Sequence, residues 1–368
     1  MRPVLFVTGR LPAHRAGALA CLHEREGIEL ALFGGRSRHG GAAFGGALPF
    51  EVHHVRPTAL RALAGSGRYR AVVCPTGGRL APLATWAGAR RSGTPLILWA
   101  SLWAHPRSAA HAFTYLPLRR LYRSADAVVT YGPHVSGYVA ARGARNVYVA
   151  PQSVDNEFWS APETAPPSDP RWPSEAELRF LFVGRAAAEK GLGVLLEAWR
   201  SAGLSPEKAA LVLAGVPPEA APGIAAAPPG EGAAGAITPL GVVEATELRD
   251  MYAAADALVL PSIPTRTFRE PWGLVVNEAM NRGLPVIATD AVGAAAGGLV
   301  RDGQTGLVVP AGDSGALMQA ILQLAGDPAL RARLGGAGAE AVRAYSHAAW
   351  AEGFSRALAS RGLARAHC

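Results

Sequence analysis

Four side chains in the second half of the chain have the types and spacing to grip an anion on one side and hydroxyl groups on the other: Arg185, Lys190, Glu270 and Glu278. The first two lie in Phe180-Leu181-Phe182-Val183-Gly184-Arg185 and in Glu189-Lys190-Gly191. An apolar run ends, Gly184 permits a turn, and Arg185 emerges at the end of a strand. Lys190 falls at the start of a helix, where the helix dipole disfavours a cation unless an anion is bound beside it. Arginine offers phosphate oxygens a planar fork, and lysine a compact charge. Two solvated basic residues in a loop would look the same when taken alone. The second two bracket Glu270-Pro271-Trp272-Gly273-Leu274-Val275-Val276-Asn277-Glu278. Pro271 favours an extended Glu270, and Gly273 lets backbone approach a ligand closely. A helix is expected to begin near Gly273 or Leu274. Its first N–H groups have no acceptor inside the helix and form an anion site. Glu278 falls roughly 1.5 turns into that helix. The two carboxylates therefore meet different parts of one ligand instead of forming an acid–nucleophile pair. The alternative is an amphipathic helix with an exposed Glu278.

Those side chains need strand ends and helix starts around them. In the first half, Val4 to Val7, Ile28 to Phe33, Ala71 to Val73, Leu96 to Leu98 and Ala127 to Val129 read as buried strands. Ala16 to Arg25 and Ala81 to Arg90 read as helices between them. In the second half, Phe180 to Val183, Leu211 to Leu213, Ala257 to Leu260 and Pro285 to Ala288 are the expected strands. Gly191 to Arg200, Glu247 to Ala255, Val275 to Asn281, Gly315 to Leu324, Ala329 to Tyr345 and His347 to Ala359 are the expected helices. Strand–helix alternation implies α/β architecture with parallel sheets. Residues 160–174 hold five prolines and no periodicity, and read as a linker. It separates a first domain, 1–159, from a second, 175–346, with a terminal segment at 347–368. Residues 216–235, rich in Ala, Pro and Gly, read as a surface loop. Two doubly wound domains facing across a cleft would bind ligands at the C-terminal ends of their strands.

The second half resembles the family-4 retaining glycosyltransferases of the GT-B fold, two Rossmann-like domains across a cleft. The matching pieces are Val183-Gly184-Arg185 with Lys190-Gly191, Leu240-Gly241-Val242, Ala255-Asp256-Ala257 leading to Leu260-Pro261-Ser262, and the pair Glu270 and Glu278. They continue through Gly283 to Asp290, Val292-Gly293, and Asp302-Gly303 to Pro310. The strong part covers 178–312. It is weaker through 113–159, at Leu121 to Asp126 and Val154-Asp155-Asn156, and before residue 95 only the architecture matches. The resemblance implies that Arg185 and Lys190 hold the diphosphate of a nucleoside-diphosphate sugar. Gly184 shapes that loop, and Gly273, Leu274 and Val275 offer backbone N–H groups to phosphate or sugar. Glu270 accepts from sugar hydroxyls, Glu278 from the ribose, and the backbone near Val242 and Val243 meets the base. His105, in Ser101-Leu102-Trp103-Ala104-His105-Pro106, stands where members often place a His against the donor sugar; a solvated or core His is the alternative. The first loop departs from the family. Many members have a Gly-Gly pair there, whereas this chain has Gly9-Arg10-Leu11-Pro12-Ala13-His14-Arg15, with Arg15 the candidate for the acceptor. The helix His347 to Ala359 resembles the segment that crosses back to the first domain.

The expected reaction moves a sugar, with retention, to a glycan, lipid-linked or small-molecule acceptor in polysaccharide-type biosynthesis. No cofactor is expected, because the nucleotide sugar is a substrate. No D-x-D cluster stands out, so the basic pair is expected to replace a divalent metal. A sugar-nucleotide epimerase or phosphorylase on the same fold is the rival reading. Composition bounds the setting. Hydrophobic residues at 49% and charged ones at 17% can fill two soluble cores. Cys21, Cys74 and Cys368 form no C-x-x-C pair, which fits a reducing, cytoplasmic compartment without a zinc site. No apolar run approaches the roughly 20 residues that span a bilayer. The net charge of +8 is split: residues 1–156 carry +13 and residues 157–368 carry −5. Arg119, Arg120 and Arg123 form one basic cluster, and Arg61, Arg68 and Arg70 another. An anionic membrane surface is the expected partner, with peripheral docking at its inner face; an Arg-biased surface is the alternative. Nucleic acid is a weaker reading, because aromatics are not interleaved with the arginines.

Overall fold

The computed structural model describes residues 1–34, 45–78, 80–163, 165–220 and 236–365. Most of the 216–235 segment and Cys368 lie outside the described residues. Two compact units are present, Met1–Asp155 with Tyr345–Cys368, and Asn156–Ala344. The first unit runs β1 (Val4–Thr8), α1 (Ala13–Glu26), β2 (Ile28–Leu32), β3 (Val52–His54), α2 (Leu60–Ala64), β4 (Ala71–Pro75), α3 (Ala81–Ser92), β5 (Leu96–Ala100), α4 (Ala109–Ser124), β6 (Ala127–Thr130), α5 (Pro133–Ala140) and β7 (Val147–Val149). The second runs α6 (Asn156–Ser160), β8 (Leu178–Val183), α7 (Leu192–Ala202), β9 (Ala209–Ala214), β10 (Ala236–Gly241), α8 (Ala245–Ala254), β11 (Ala257–Leu260), α9 (Val275–Asn281), β12 (Val286–Thr289), α10 (Gly293–Ala296), β13 (Leu307–Val309), α11 (Ser314–Gly326) and α12 (Pro328–Val342). The last helix, α13 (His347–Ala359), belongs to the first unit.

Each unit is built on one parallel sheet. The first has the order β3-β2-β1-β4-β5-β6-β7 and the second β10-β9-β8-β11-β12-β13. Strand order reverses beside β1 in one and beside β8 in the other. Ligands of doubly wound sheets bind at such reversals, outside the carboxyl ends of the strands. Side-chain alternation along a strand sends neighbours to opposite faces. Val4 and Phe6 of β1 accordingly pack with Leu19, Leu22, Trp350 and Phe354 from α1 and α13. Leu5 and Val7 pack on the other face with Leu60, Ala64, Ala81 and Ala89. In the second unit Phe180 and Phe182 of β8 meet Leu195 and Trp199 of α7 and Ile321 and Leu324 of α11.

The strands expected from apolar runs are present, and the additional ones lie mostly at sheet edges. β3, β7 and β13 have three residues each. β10 carries Pro239 and a register irregularity there, which an edge strand tolerates because no ladder N–H is required on its outer side. The residues read as a linker fall inside the second unit. Within them, Arg171 donates to the carbonyls of Pro239 and Leu240.

Candidate active site

The carboxyl ends of β8 and β11 lie side by side in the second unit, and the segments leaving them are tied together. Arg185 follows β8, and Lys190 closes a single 3₁₀ turn, Ala188–Lys190, ahead of α7. Lys190 is thus one turn before the α-helix rather than on it. Gly191 makes the junction with φ of +67°, and a Cβ there would stand 1.9 Å from the carbonyl oxygen of Pro261. Only glycine fits that approach. Ile263 N–H donates to the Glu189 carbonyl at 3.0 Å, which holds the two segments together. Lys190 Nζ donates to Glu270 Oε2 at 2.5 Å, and Ser262 Oγ donates to the same oxygen at 3.3 Å. Both members of the ion pair are largely buried, with side-chain exposures of 17% and 9%. Arg185 is more open and reaches Glu189 Oε1 at 3.2 Å. The Gly184 N–H donates to the Ala214 carbonyl.

Glu270 is held by its backbone as well. It bridges Val292 in parallel, and its carbonyl accepts from Gly293 N–H at 3.1 Å. A Cβ on Gly293 would stand 2.0 Å from the Pro271 carbonyl, so α10 is pressed against the Glu270 loop. Gly273 has φ of +90°, and its Cβ position lies 3.9 Å from Glu270 Cγ. Trp272, buried, donates from Nε1 to Asn277 Oδ1 at 2.7 Å and fastens the loop to α9. Leu274 caps α9, and Val275 begins it. Glu278 lies one turn further and accepts from the buried Tyr252 hydroxyl at 2.9 Å. Burial pushes the Glu278 carboxyl up to about 7, against a smaller opposing effect of the Tyr252 hydrogen bond. Burial and the neighbouring carboxylate push the Tyr252 phenol well above its usual value. Val242, 92% exposed, and Val243 follow the end of β10. The second unit therefore brings Gly184, Arg185, Lys190, Glu270, Gly273 and Leu274 onto neighbouring segments. It places Glu278 on the helix that follows.

His105 and Arg15 belong to the first unit. His105 has both ring nitrogens engaged, Nε2 with the His111 carbonyl at 2.9 Å and Nδ1 with the Tyr138 hydroxyl at 3.4 Å. Its ring also meets Tyr115 edge-on at 5.1 Å. Arg15 lies in the first turn of α1, and its guanidinium carbon stands 5.3 Å from the ring centres of both Trp99 and Trp350, which meet each other edge-on at 5.8 Å. Its Nη2 donates to Gln152 Oε1 at 2.6 Å. Among the described residues one trio, Glu29, Glu51 and His53, brings potential metal-binding atoms within 4.8 Å of one another. It lies on and beside β2 and β3, and Glu29 already accepts from Tyr69 and contacts His53.

Residues 177–327 match the family described as Glycosyl transferases group 1. A stretch of 106 residues is 42% identical to the phosphatidyl-myo-inositol mannosyltransferase of Mycobacterium leprae, covering 29% of this chain and only 27% of that protein. A longer match, 309 residues at 29% identity, covers 76% of this chain and 69% of the D-inositol 3-phosphate glycosyltransferase of Actinosynnema mirum. Among solved structures, sucrose-phosphate synthase from Thermosynechococcus elongatus superposes with a TM-score of 0.72 at 20% identity, over 98% of this chain and 99% of that one. Anabaena HepE in complex with UDP and glucose superposes with a TM-score of 0.72 at 19% identity, over 98% and 100%. The fold of the whole chain is therefore GT-B.

Within the matched residues 177–327, sequence reasoning left three partners without a role. Ser262 and Glu189 stand inside the quoted motifs, and their contacts to Glu270 and Arg185 appear only once the β8 and β11 loops are brought together. Tyr252 lies on α8 with no motif around it, and only its contact to Glu278 gives it a place.

Proposed function

We propose that this protein is a glycosyltransferase that takes a sugar from a nucleoside-diphosphate sugar and transfers it, with retention, to an acceptor oxygen. The observation that carries the reading is the Lys190–Glu270 ion pair beside Arg185 at the switch point of the second sheet. Ammonium and guanidinium groups suit phosphate, and carboxylates accept from sugar hydroxyls. Their direct contact puts the group suited to the leaving phosphate next to the group suited to the sugar. Those two parts of a donor meet at the bond that breaks. In the proposed step the anomeric carbon–phosphate oxygen bond breaks and the acceptor oxygen bonds the same face. The departing diphosphate takes the acceptor's proton. Its growing charge is met by Lys190, Arg185 and the N–H groups of Gly273, Leu274 and Val275, donors fixed before the reaction. Glu278 and Tyr252 would hold the ribose, and the exposed backbone at Val242 and Val243 would meet the base. No metal is required in this scheme, because the two cations supply the charge. The test is a thermal-shift screen of nucleotide sugars followed by an assay of nucleotide release. Stabilisation by one donor, with release that needs an acceptor, is expected. Release at full rate without any acceptor oxygen would contradict transfer.

The partner of the first unit follows from its surface. Residues 52–125 hold eleven arginines and no Asp or Glu. Four large apolar side chains stand exposed on that stretch: Leu80 at 59%, Leu83 at 38%, Phe113 at 83% and Leu116 at 68%. Leu83 and Leu116 line one groove with Trp86, Arg119, Arg120 and Arg123. Apolar groups among cations suit an anionic lipid surface. Among the described residues no helix is long and apolar enough to cross a membrane. We propose that this face docks on anionic bilayers. Co-sedimentation with phosphatidylglycerol vesicles, lost in Phe113→Ser/Leu116→Ser and in Arg119→Ser/Arg120→Ser, is expected; equal recovery with neutral vesicles would contradict it.

A further inference from the structure

The reversal point of the first sheet has its own cavity, of about 300 Å³. Residues just beyond β1 (Arg10), at the end of β4 (Pro75) and just past it (Gly77), and beyond β5 and β6 (Ser101, Tyr131) line it. This is the position at which a doubly wound sheet presents a ligand site. Arg15 also lines it, and is 6% exposed. Its guanidinium has two indole rings and one amide acceptor as neighbours, and Nη1 is buried with no hydrogen-bond partner among the described residues. Among the described residues, no Asp or Glu lines the cavity. Burial, with repulsion from Arg15, pushes His14 on the same wall down to about 4, so it adds no second positive charge at physiological pH. A cation removed from water without a counter-charge is strongly unfavourable, and buried charges are ordinarily paired. The two indoles supply part of the compensation but leave Nη1 without a partner among the described residues.

We propose that this cavity binds an oxyanionic group, phosphate or carboxylate, carried by the acceptor. The part concerning the acceptor rests on the transferase reading; the anion site does not. A guanidinium gripping an oxyanion through Nη1 would satisfy the open donor and neutralise the charge together. Nη2 would stay on Gln152. The cavity has room for more than the anion, so the rest of a small polar molecule would extend from it.

The test uses the full chain carrying Arg185→Ala and Lys190→Ala, so that phosphate held in the second unit does not count. Melting is followed against inorganic phosphate and against acetate, with chloride at matched ionic strength as the baseline. A saturable rise in Tm with phosphate or with acetate supports the site and says which oxyanion it prefers. No rise with either overturns it. Adding Arg15→Met is expected to raise Tm in anion-free buffer, because an unpaired buried charge is removed, and to weaken the anion at least tenfold. A lower Tm with an unchanged anion response would mean that Arg15 is only a structural clamp, and would overturn the proposal. Gly77→Glu leaves Arg15 in place and sets a carboxylate at the rim, where a Cβ meets open space. It too is expected to weaken the anion at least tenfold, and an unchanged response would overturn the proposal. Anion binding that survives alongside a failed transfer assay would remove only the word acceptor.

Discussion

Two covered cations, one in each unit, differ in their company. Lys190 has a carboxylate against it and a hydroxyl sharing that carboxylate. Arg15 has two indole rings and an amide, with Nη1 unmet among the described residues. The first arrangement is charge-paired without a ligand, and a donor entering it must be met by groups already in place. The second is incomplete and is finished by whatever negative group enters. A site that supplies catalytic charge gains from being preorganised. A site that selects a partner gains from being unsatisfied without it, since a molecule lacking the anion leaves a buried charge unpaired.

The comparison can be broken first at Glu270. Glu270→Gln removes the partner of Lys190 and the acceptor for the donor sugar together. Turnover is expected to fall about 10²–10³-fold, the scale of losing one fixed polar contact in a transition state, while affinity for the nucleoside diphosphate alone changes little. Calorimetry with the free nucleotide checks this, and an affinity loss as large as that of Glu278→Gln would contradict the assignment. Next comes the packing under the pair. Gly191→Ala must take a left-handed backbone and clear the Pro261 carbonyl, with an expected loss of about 2–4 kcal/mol. Denaturant unfolding reads it, and the same substitution at Gly193, where a Cβ meets open space, is the control.

A smaller effect sharpens the ribose side. Glu278 holds its proton up to about 7 in the folded protein, against an ordinary value of 4.5. The folded state therefore binds that proton more tightly than the unfolded chain. Its stabilising contribution is complete below about 4.5 and is lost as pH rises through 7. Each tenfold gain in proton affinity is worth about 1.4 kcal/mol, so the whole effect is at most about 3 kcal/mol. Glu278→Gln cannot lose a proton there. Its Tm is expected to gain on that of the wild type as pH rises from 4.5 to 7 and to level off above. A difference independent of pH would place the carboxylate in a more polar setting. The smallest change expected is Ser262→Ala, which removes a hydroxyl donor to Glu270 Oε2 and lowers turnover severalfold without moving nucleotide affinity.

The same two regions show what a sequence makes legible. The Arg185–Lys190 and Glu270–Glu278 segments could be read because their residues sit close together at strand ends and helix starts, where local rules decide conformation. The apolar interior strands were legible for the same reason. β3, β7 and β13 were not, because three residues at or near a sheet edge carry little pattern. The setting of Arg15 was out of reach for another reason. Its two indoles come from β5 and from α13, and no local pattern joins positions 15, 99, 152 and 350. His105 could be named from its place after β5, but its engagement by His111 and Tyr138 depends on α4 and α5 packing over it.

The charge at Lys190 is the part on which the transfer chemistry depends. The direct measurement is nucleoside diphosphate release by the wild type, Arg185→Ala and Lys190→Ala, each with and without EDTA, once the donor screen has supplied a substrate. Wild-type turnover unaffected by EDTA is expected. Each alanine variant should lose about 10²–10³-fold, and the double variant should lose less than the product, because both residues serve one developing charge. Near-normal turnover in Lys190→Ala, or wild-type activity abolished by EDTA and restored by magnesium or manganese, would contradict the account.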